Sequence, residues 1–317
     1  MTVTVAKTAG FCYGVKRAVE LAQQAARDGK PCVMLGPIIH NAHVVDALAE
    51  QGIGCVSSPE EVPAGSRVII RSHGESQAVY EQLNARGAEI LDATCPNVIR
   101  IQRLVAQAEA EGRQPVIIGE PSHPEGVGVA SWCSHPLVFD GPEAVQRWLA
   151  EDPHRREIPL TVAAQTTCIR ELFETSCEIV KKECTNAKIF DTICDATQKR
   201  QTEAAEIAGK VDVMVVVGDR KSANTRHLTE ICSKRCSRVF QVEDADELPA
   251  GWARGCRAAG LTAGASTPAG IIKEVYAAMS EEIKAAEGKE ESFEELLNQS
   301  FKTLNTGEKV TGTVLAI

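Results

Sequence analysis

Two patterns of apolar residues alternate along the chain. Short, nearly continuous apolar runs predict buried strands; the longest are "CVMLG", "RVIIR", "AEIL", "PVIIG", "LTVA", "AKIF", "VDVMVVVG" and "RAAGL". Between them, apolar residues recur every three or four positions, which is typical of amphipathic helices. The alternation predicts an α/β fold with mostly parallel sheets.

The first predicted helix follows Cys12 directly, because Val15, Ala18 and Ala22 lie at helical spacing and Gly29 ends the pattern. The same spacing predicts helices near residues 76 to 86, 97 to 111, 169 to 183, 198 to 209, 224 to 235 and 268 to 286.

Polar and metal-binding residues follow the predicted strands one after another. Ligands bind outside the carboxyl ends of parallel strands, so such residues are candidates for one shared site. A single histidine at a strand end is more often a packing or capping residue, but the recurrence favours a site. The candidates are His40, His73, Cys95, His123, Thr166, Cys194, Ser222 with Asn224, and Ser266.

The stretch "DATCP" at residues 92–96 has an echo in "DTICD" at residues 191–195. Both follow an apolar run and precede a predicted helix, which suggests a structural repeat. We expect three similar α/β modules around one centre, over residues 13–96, 97–194 and 195–280. Residues 1–12 would supply an N-terminal strand, and 281–317 would form a linker and the start of another domain.

The formal net charge of −9 argues against a protein whose main ligand is a nucleic-acid backbone, which needs a basic surface. The N-terminus lacks a signal-peptide pattern, and no apolar run approaches the roughly 20 residues that span a bilayer. We therefore expect a cytoplasmic protein without membrane association. In that reducing compartment the twelve cysteines would be thiols.

Five cysteines lie in or beside apolar runs and are expected to be buried without a further role, namely Cys32, Cys55, Cys232, Cys236 and Cys256. Cys12, Cys95 and Cys194 differ because each opens a helix, where the helix dipole favours the thiolate. Their wide spacing excludes a local zinc finger. An iron-sulfur cluster with one open iron and a cysteine-ligated catalytic zinc both fit, and spacing does not decide between them.

The histidines, Ser222, Asn224 and Ser266 are donors that suit a small, highly charged anion such as a diphosphate. Glu125 lies two residues from His123 and is close enough to act as a proton donor in the same site. A solvated turn shaped by Pro124 is the alternative interpretation of this "HPE" stretch.

Nine stretches together resemble the 4-hydroxy-3-methylbut-2-enyl diphosphate reductase family. They occur in family order over roughly residues 3 to 280 and read "AGFCYGVKRAVE", "GPIIHN", "RSHG", "DATCP", "HPEG.G", "QTT", "DTICDAT..RQ", "KSANT" and "GLTAGASTP". The resemblance implies a trefoil of three modules about a 4Fe-4S cluster, with Cys12, Cys95 and Cys194 as its protein ligands.

The resemblance also implies roles for the other candidates. Glu125, His123 and Thr166 would be catalytic, with Glu125 supplying protons and Thr166 near the substrate hydroxyl. The diphosphate would be held around His40, His73, His123, Ser222, Ala223, Asn224 and Ser266, with Thr166 also in contact with substrate. The reaction would reduce the allylic alcohol diphosphate to isopentenyl and dimethylallyl diphosphate, with ferredoxin or flavodoxin as electron donor.

The chain departs from the usual family pattern at three positions. Ala223 replaces a serine, Gly126 stands where valine is frequent, and Gln102 stands where histidine is common. These changes concern the fine positioning of the substrate. A non-redox hydro-lyase that uses the open iron only as a Lewis acid is the competing enzyme hypothesis.

The tail "SFEELLNQSFKTLNTGEKVTGTVLAI" resembles the segment that leads into an S1-type RNA-binding domain. One strand cannot form a five-stranded barrel, so we expect RNA binding only through a complete S1 region. An RNA-binding module of translation is the third hypothesis, and it rests on this tail alone.

Overall fold

The computed structural model describes residues 1–284, and the predicted S1-like segment lies outside the described residues. Residues 1–284 contain twelve strands, and all of the strand pairs among them are parallel. In chain order, β1 to β12 are Thr2–Val5, Cys32–Leu35, Gly54–Val56, Arg67–Ile70, Glu89–Asp92, Gln114–Ile118, Leu137–Phe139, Leu160–Ala164, Ala187–Phe190, Val213–Val217, Val239–Val242 and Ala258–Ala263.

Helices connect the strands, as the sequence predicts. In chain order, α1 to α9 are Tyr13–Arg27, Ala42–Glu50, Gln77–Ala85, Pro96–Ala110, Pro124–Ala130, Pro142–Glu151, Arg170–Glu183, Asp195–Ala208 and Ala223–Ser233. A further helix, α10, covers 269–284. Short 3-10 helices occupy Pro59–Glu61 and Pro153–Glu157. The sequence pattern missed α2, α5 and α6, which are seven to ten residues long and too short for a clear period.

The strands form three four-stranded sheets with the same order. The first sheet runs β3-β2-β4-β5 and the second runs β7-β6-β8-β9. The third, read from β11, runs β11-β10-β12-β1, so the second strand of each module lies outside the first in all three sheets. The predicted α/β fold with three similar parallel modules is therefore confirmed.

The N-terminal strand completes the third sheet. β1 pairs with β12 in the register Val3 to Ala259, and so takes the place that β5 and β9 occupy in the other two sheets. The third module is thus closed by the beginning of the chain. The module boundaries at residues 12, 96, 194 and 280 stay a prediction.

Each sheet is covered by apolar side chains on both faces, because neighbouring residues of a strand point to opposite sides. In β10, Val213, Val215 and Val217 join one core cluster, whereas Met214 and Val216 join the other. The other two sheets show the same division between two clusters. Burial on both faces is why the central strands read as continuous apolar runs. In the described part of the chain, no helix is long and apolar enough to span a membrane.

Candidate active site

Cys12, Cys95 and Cys194 occupy equivalent places in the three modules. Each follows the last strand in the order given for its sheet, namely β1, β5 or β9. Each is also the N-cap residue of the next helix, α1, α4 or α8. Each cysteine N–H donates to a carbonyl in the loop after the third strand: to Ala265 at 3.2 Å, to Ser72 at 3.0 Å and to Thr166 at 3.2 Å, respectively. The three thiols line one cavity. We call these three residues the cysteine floor.

Backbone groups surround the sulfur atoms of the floor. Val15 N–H donates to Cys12 Sγ at 3.5 Å, and Thr197 N–H donates to Cys194 Sγ at 3.3 Å. A Cβ on Gly14 would lie 2.7 Å from Cys95 Sγ, so the lack of a side chain there lets α1 approach the third sulfur. Such N–H groups stabilise thiolates and sulfur ligands of metal clusters.

Burial opposes ionisation of the floor in the protein alone. It raises the pKa of Cys95 and Cys194, although backbone N–H groups at the helix starts act in the opposite direction. The thiolate preference expected from the helix N-termini is therefore outweighed by desolvation at these two residues. A bound cation would reverse the balance, because coordination deprotonates a thiol.

The other cysteines show where the burial prediction holds. Cys32, Cys232 and Cys236 are buried as expected, but Cys55 is exposed because β3 lies at the edge of the first sheet. Cys256 is partly buried, and its sulfur accepts a bond of 2.9 Å from Arg238 Nη1.

The polar candidates line the same cavity, which has a volume of about 680 Å³ including its mouth. They follow the first and third strands of each module, which are neighbours in the sheet and flank the point where the strand order reverses. His40, His123 and Ser222 are each the fifth residue after the first strand of their module. We define the polar wall as His40, His73, His123, Ser222, Asn224 and Ser266.

The three histidines of the wall are in ring contact. The ring centroids lie 4.5 Å apart for His40 and His73, and 5.5 and 5.6 Å from His123. Burial lowers the pKa of all three, to about 4 for His123, and repulsion from neighbouring rings adds to the effect at His73 and His123. The rings are thus neutral at pH 7 in the ligand-free protein.

Hydrogen bonds fix the orientation of His123. Its Nδ1 accepts the Glu125 N–H at 3.1 Å and lies 3.0 Å from Gln165 Nε2. Because Nδ1 accepts, the ring proton resides on Nε2. That atom is buried and has no hydrogen-bond partner among residues 1–284.

Several other buried polar atoms of the wall also lack a partner within the described residues. Buried polar groups in folded proteins are nearly always hydrogen-bonded, so such a concentration indicates a ligand site. Together with His123 Nε2, the atoms are His40 Nε2, His73 Nδ1, Asn224 Nδ2, Asn224 Oδ1 and Ser266 Oγ. All six belong to residues that line the cavity.

Glu125 is a buried carboxyl group on the same cavity, with 2% of its surface exposed. Thr166 donates to it twice, from N–H to Oε1 and from Oγ1 to Oε2, both at 2.7 Å. Burial raises the pKa of Glu125 to about 7 and outweighs these two bonds. A carboxyl group with this pKa can release a proton near neutral pH.

Residues that the sequence interpretation did not assign also shape the site. Gln165 and Thr167 flank Thr166 within the quoted "QTT" stretch, and Gly14 lies within "AGFCYGVKRAVE". Arg200 is buried and donates to Ala196 O and Gly10 O at the base of the floor. Burial lowers its pKa, whereas the sulfurs of Cys12 and Cys194 act in the opposite direction. These residues could have been found from the sequence, because all of them lie within the stretches that carry the family resemblance.

The three departures from the family pattern have different surroundings. Ala223 lines the cavity and is 1% exposed. Gln102 is buried beside Gly74, where an added Cβ would lie 2.8 Å from its Nε2. A Cβ on Gly126 would lie 2.4 Å from the Glu120 carbonyl oxygen, so this glycine is needed for the local packing.

The donor set fits a thiolate-bound cluster at the floor, because three sulfurs from three modules face one cavity and two of them already accept backbone N–H bonds. Within residues 1–284, no three His, Cys, Asp or Glu side chains are arranged around a point that could hold a single metal ion.

Comparison with known proteins gives the family. The profile described as "LytB protein" matches residues 3–280. The chain belongs to the LytB protein family. Among curated LytB relatives, the 4-hydroxy-3-methylbut-2-enyl diphosphate reductase of Geobacter sulfurreducens is 42% identical over 287 residues, covering 89% of this chain and 98% of the relative. The enzyme of the same name from Caldanaerobacter subterraneus is 39% identical over 298 residues, covering 92% and 100%.

Two solved structures agree with this chain in fold. One, described as (E)-4-hydroxy-3-methyl-but-2-enyl diphosphate reductase, the terminal enzyme of the non-mevalonate pathway, is 36% identical with a TM-score of 0.63 and covers 89% of this chain and all of that one. The reductase of Plasmodium falciparum has a TM-score of 0.81 at 24% identity, covering 86% and 85%, and shows the fold alone.

Proposed function

We propose that this LytB protein reduces 4-hydroxy-3-methylbut-2-enyl diphosphate to isopentenyl and dimethylallyl diphosphate. The observation that carries the proposal is the meeting of three features in one cavity: the cysteine floor, the unpartnered atoms of the polar wall and the carboxyl group of Glu125, whose pKa is raised to about 7. The relatives' names point to the same reaction.

Cys12, Cys95 and Cys194 would hold the 4Fe-4S cluster that the family implies. When bound, such a cluster supplies electrons and a Lewis-acidic iron next to the substrate hydroxyl. The remaining work falls to the protein. The reaction consumes the alcohol, two electrons and two protons, and it yields the alkene diphosphate and water.

The polar wall would bind the diphosphate. His40, His73 and His123 are neutral without ligand, and an adjacent dianion would favour their protonated forms. The N-terminus of α9, capped by Ser222, adds a favourable dipole and backbone donors. Binding energy from this end would hold the short carbon chain over the floor.

Glu125 would donate the proton that converts the departing hydroxyl into water. Its protonated form is the stable one below a pH of about 7, and the two bonds from Thr166 fix its carboxyl plane. The Thr166 hydroxyl would also contact the substrate oxygen. We retain His123 as a catalytic residue, because its Nε2–H faces the same cavity.

The decisive experiment is electron consumption by anaerobically purified full-length protein. A reduced viologen dye should be oxidised only after substrate is added, with two electrons taken per alkene diphosphate formed. Conversion of substrate without dye oxidation would favour the hydro-lyase alternative. Iron and sulfide analysis of the same sample would separate a cluster from zinc.

Several finer assignments complete the proposal. We infer a ferredoxin or flavodoxin as reductant, since the cluster needs single electrons at low potential. We also infer a cytoplasmic location and no nucleic-acid binding by residues 1–284. RNA binding would need a complete S1 region. Tight RNA binding by this part of the chain would contradict that assignment.

A further inference from the structure

Glu120 connects the second module to the helix that carries part of the polar wall. It lies in the loop between β6 and α5, and its Oε1 is 3.0 Å from His227 Nε2. Its other carboxylate oxygen is paired with Arg226 Nη2. Both partners belong to α9, the helix that begins with Ala223 and Asn224.

His227 is held from two sides of the second module. Its Nδ1 lies 2.7 Å from the carbonyl oxygen of Thr167, in the loop after β8. Its Nε2 faces Glu120, after β6. A single ring of α9 therefore bridges the loops after the two central strands of the second sheet, one of which carries Thr166.

Arg226 fixes the other end of the connection. Its Nη1 donates to the carbonyl oxygens of Lys221 at 2.9 Å and Arg220 at 3.2 Å, which lie in the loop that leads into α9. The guanidinium thus joins Glu120 to the loop just before Ser222, the N-cap of the helix. Movement of Glu120 would be transmitted directly to this part of the polar wall.

Glu120 is itself anchored to the catalytic side. Its N–H donates to Gln165 Oε1 at 2.9 Å, and Gln165 Nε2 lies 3.0 Å from His123 Nδ1. Its carbonyl oxygen occupies the space that a side chain on Gly126 would need. Hydrogen bonding by His227, with the charge of Arg226, lowers the pKa of Glu120 to about 2 despite partial burial, so the carboxylate is charged at neutral pH.

We propose that Glu120 is a positioning residue that straps α9 to the second module, so that Ser222 and Asn224 face the same ligand as His123 and Thr166. The inference rests on the proposed function. The strap couples diphosphate binding by the third module to the proton-donating loop of the second. None of its three side chains, Glu120, Arg226 and His227, needs to touch the substrate.

The test uses the cluster-loaded full chain and inorganic diphosphate as the probe in calorimetry. Glu120→Gln keeps the size but removes the charge, and it should raise the Kd for diphosphate by about tenfold, as expected for loss of a charge-assisted pair. With substrate, KM should rise by a similar factor while kcat changes by less than about threefold. Glu120→Asp, which restores the charge, should recover part of the affinity.

Glu183→Gln is the matched control. It breaks a comparable half-exposed pair with Arg156, at 3.2 Å, and neither residue lines the cavity. Its Kd, KM and kcat should equal those of the wild type. The visible absorbance of the cluster and the Tm should be measured for every variant, and Arg226→Lys serves as the milder change if Glu120→Gln does not fold.

A double-mutant cycle of Glu120→Gln with His227→Phe measures whether these two residues act together. If the strap acts as a unit, Glu120→Gln adds little to the effect of His227→Phe on the Kd. Additive effects, or a Kd for Glu120→Gln equal to that of the wild type, would overturn the strap. Failure of the wild-type holoenzyme to bind diphosphate would instead contradict the proposed function.

Discussion

The cysteine floor and the polar wall are built on the same threefold repeat but differ in chemistry. In the floor, one residue type recurs three times with the same cap position and the same backbone bond to the loop after the third strand. In the wall, the fifth residue after the first strand is histidine in the first two modules and serine in the third. The threefold repeat thus fixes where the side chains of the site lie, and the residue type at each equivalent position sets the chemistry.

The cysteine floor and the polar wall also differ in how many of their polar atoms and sulfurs have a hydrogen-bond partner. Backbone N–H groups already serve two sulfurs of the floor, whereas six buried atoms of the wall have no hydrogen-bond partner in the part of the chain that the structure describes. Removing a floor residue should therefore destroy the site, while changes in the wall should alter affinity by degrees. The following experiments test that contrast.

The largest effect is expected at the floor. Cys194→Ala should abolish turnover and remove most bound iron, because one of three thiolate ligands is lost. Iron and sulfide content with the visible spectrum would measure this. Cys55→Ala, at the exposed cysteine, is the control and should keep the full content. Full iron in Cys194→Ala would exclude Cys194 as a ligand.

The next effect is expected at Glu125. Glu125→Gln should lower kcat by about a hundredfold to ten-thousandfold, the usual contribution of a general acid, with the diphosphate Kd unchanged. The pKa of Glu125 is about 7, so the active protonated form is lost as pH rises. Wild-type kcat should therefore fall above about pH 7, and the residual activity of the variant should lack that limb.

A smaller effect is expected for a single histidine of the wall. His73→Leu should raise KM by about tenfold to a hundredfold, since one donor to an anion is lost. Burial and the other two rings hold the pKa of His73 well below its ordinary value, so diphosphate binding should be accompanied by proton uptake. Calorimetry in two buffers of different ionisation enthalpy measures that uptake. His43→Leu, at an exposed histidine, should change neither quantity.

If His73→Leu takes up as many protons as the wild type on binding diphosphate, the proton goes to another group. That result would leave His73 in the wall as a neutral donor only.

The smallest effect is expected at Ala223. This residue lines the cavity beside Asn224 and offers no hydroxyl group. Ala223→Ser should lower the diphosphate Kd by about threefold to tenfold, the usual gain from one added hydrogen bond. An unchanged Kd would show that backbone N–H groups of α9 already satisfy that part of the anion.

Much of the fold could be predicted from the sequence because its signals are local. Buried parallel strands need continuous apolar runs, and "VDVMVVVG" meets that need whatever surrounds it. Helices α2, α5 and α6 escaped because they are short, and α5 contains two glycines. The prediction that Cys55 is buried was wrong, because an apolar run in the sequence does not reveal that its strand lies at the edge of a sheet.

By itself, the sequence determined the order of the long apolar strands and the longer helices, the caps at the helix starts and the residue types that follow those strands, because these depend on near neighbours. Only the tertiary structure decided that β1 closes the third sheet, which makes Cys12 equivalent to Cys95 and Cys194. It also decided the raised pKa of Glu125 and the contact between Glu120 and His227. Desolvation and contacts between distant segments are properties of the packed chain, and no local pattern encodes them.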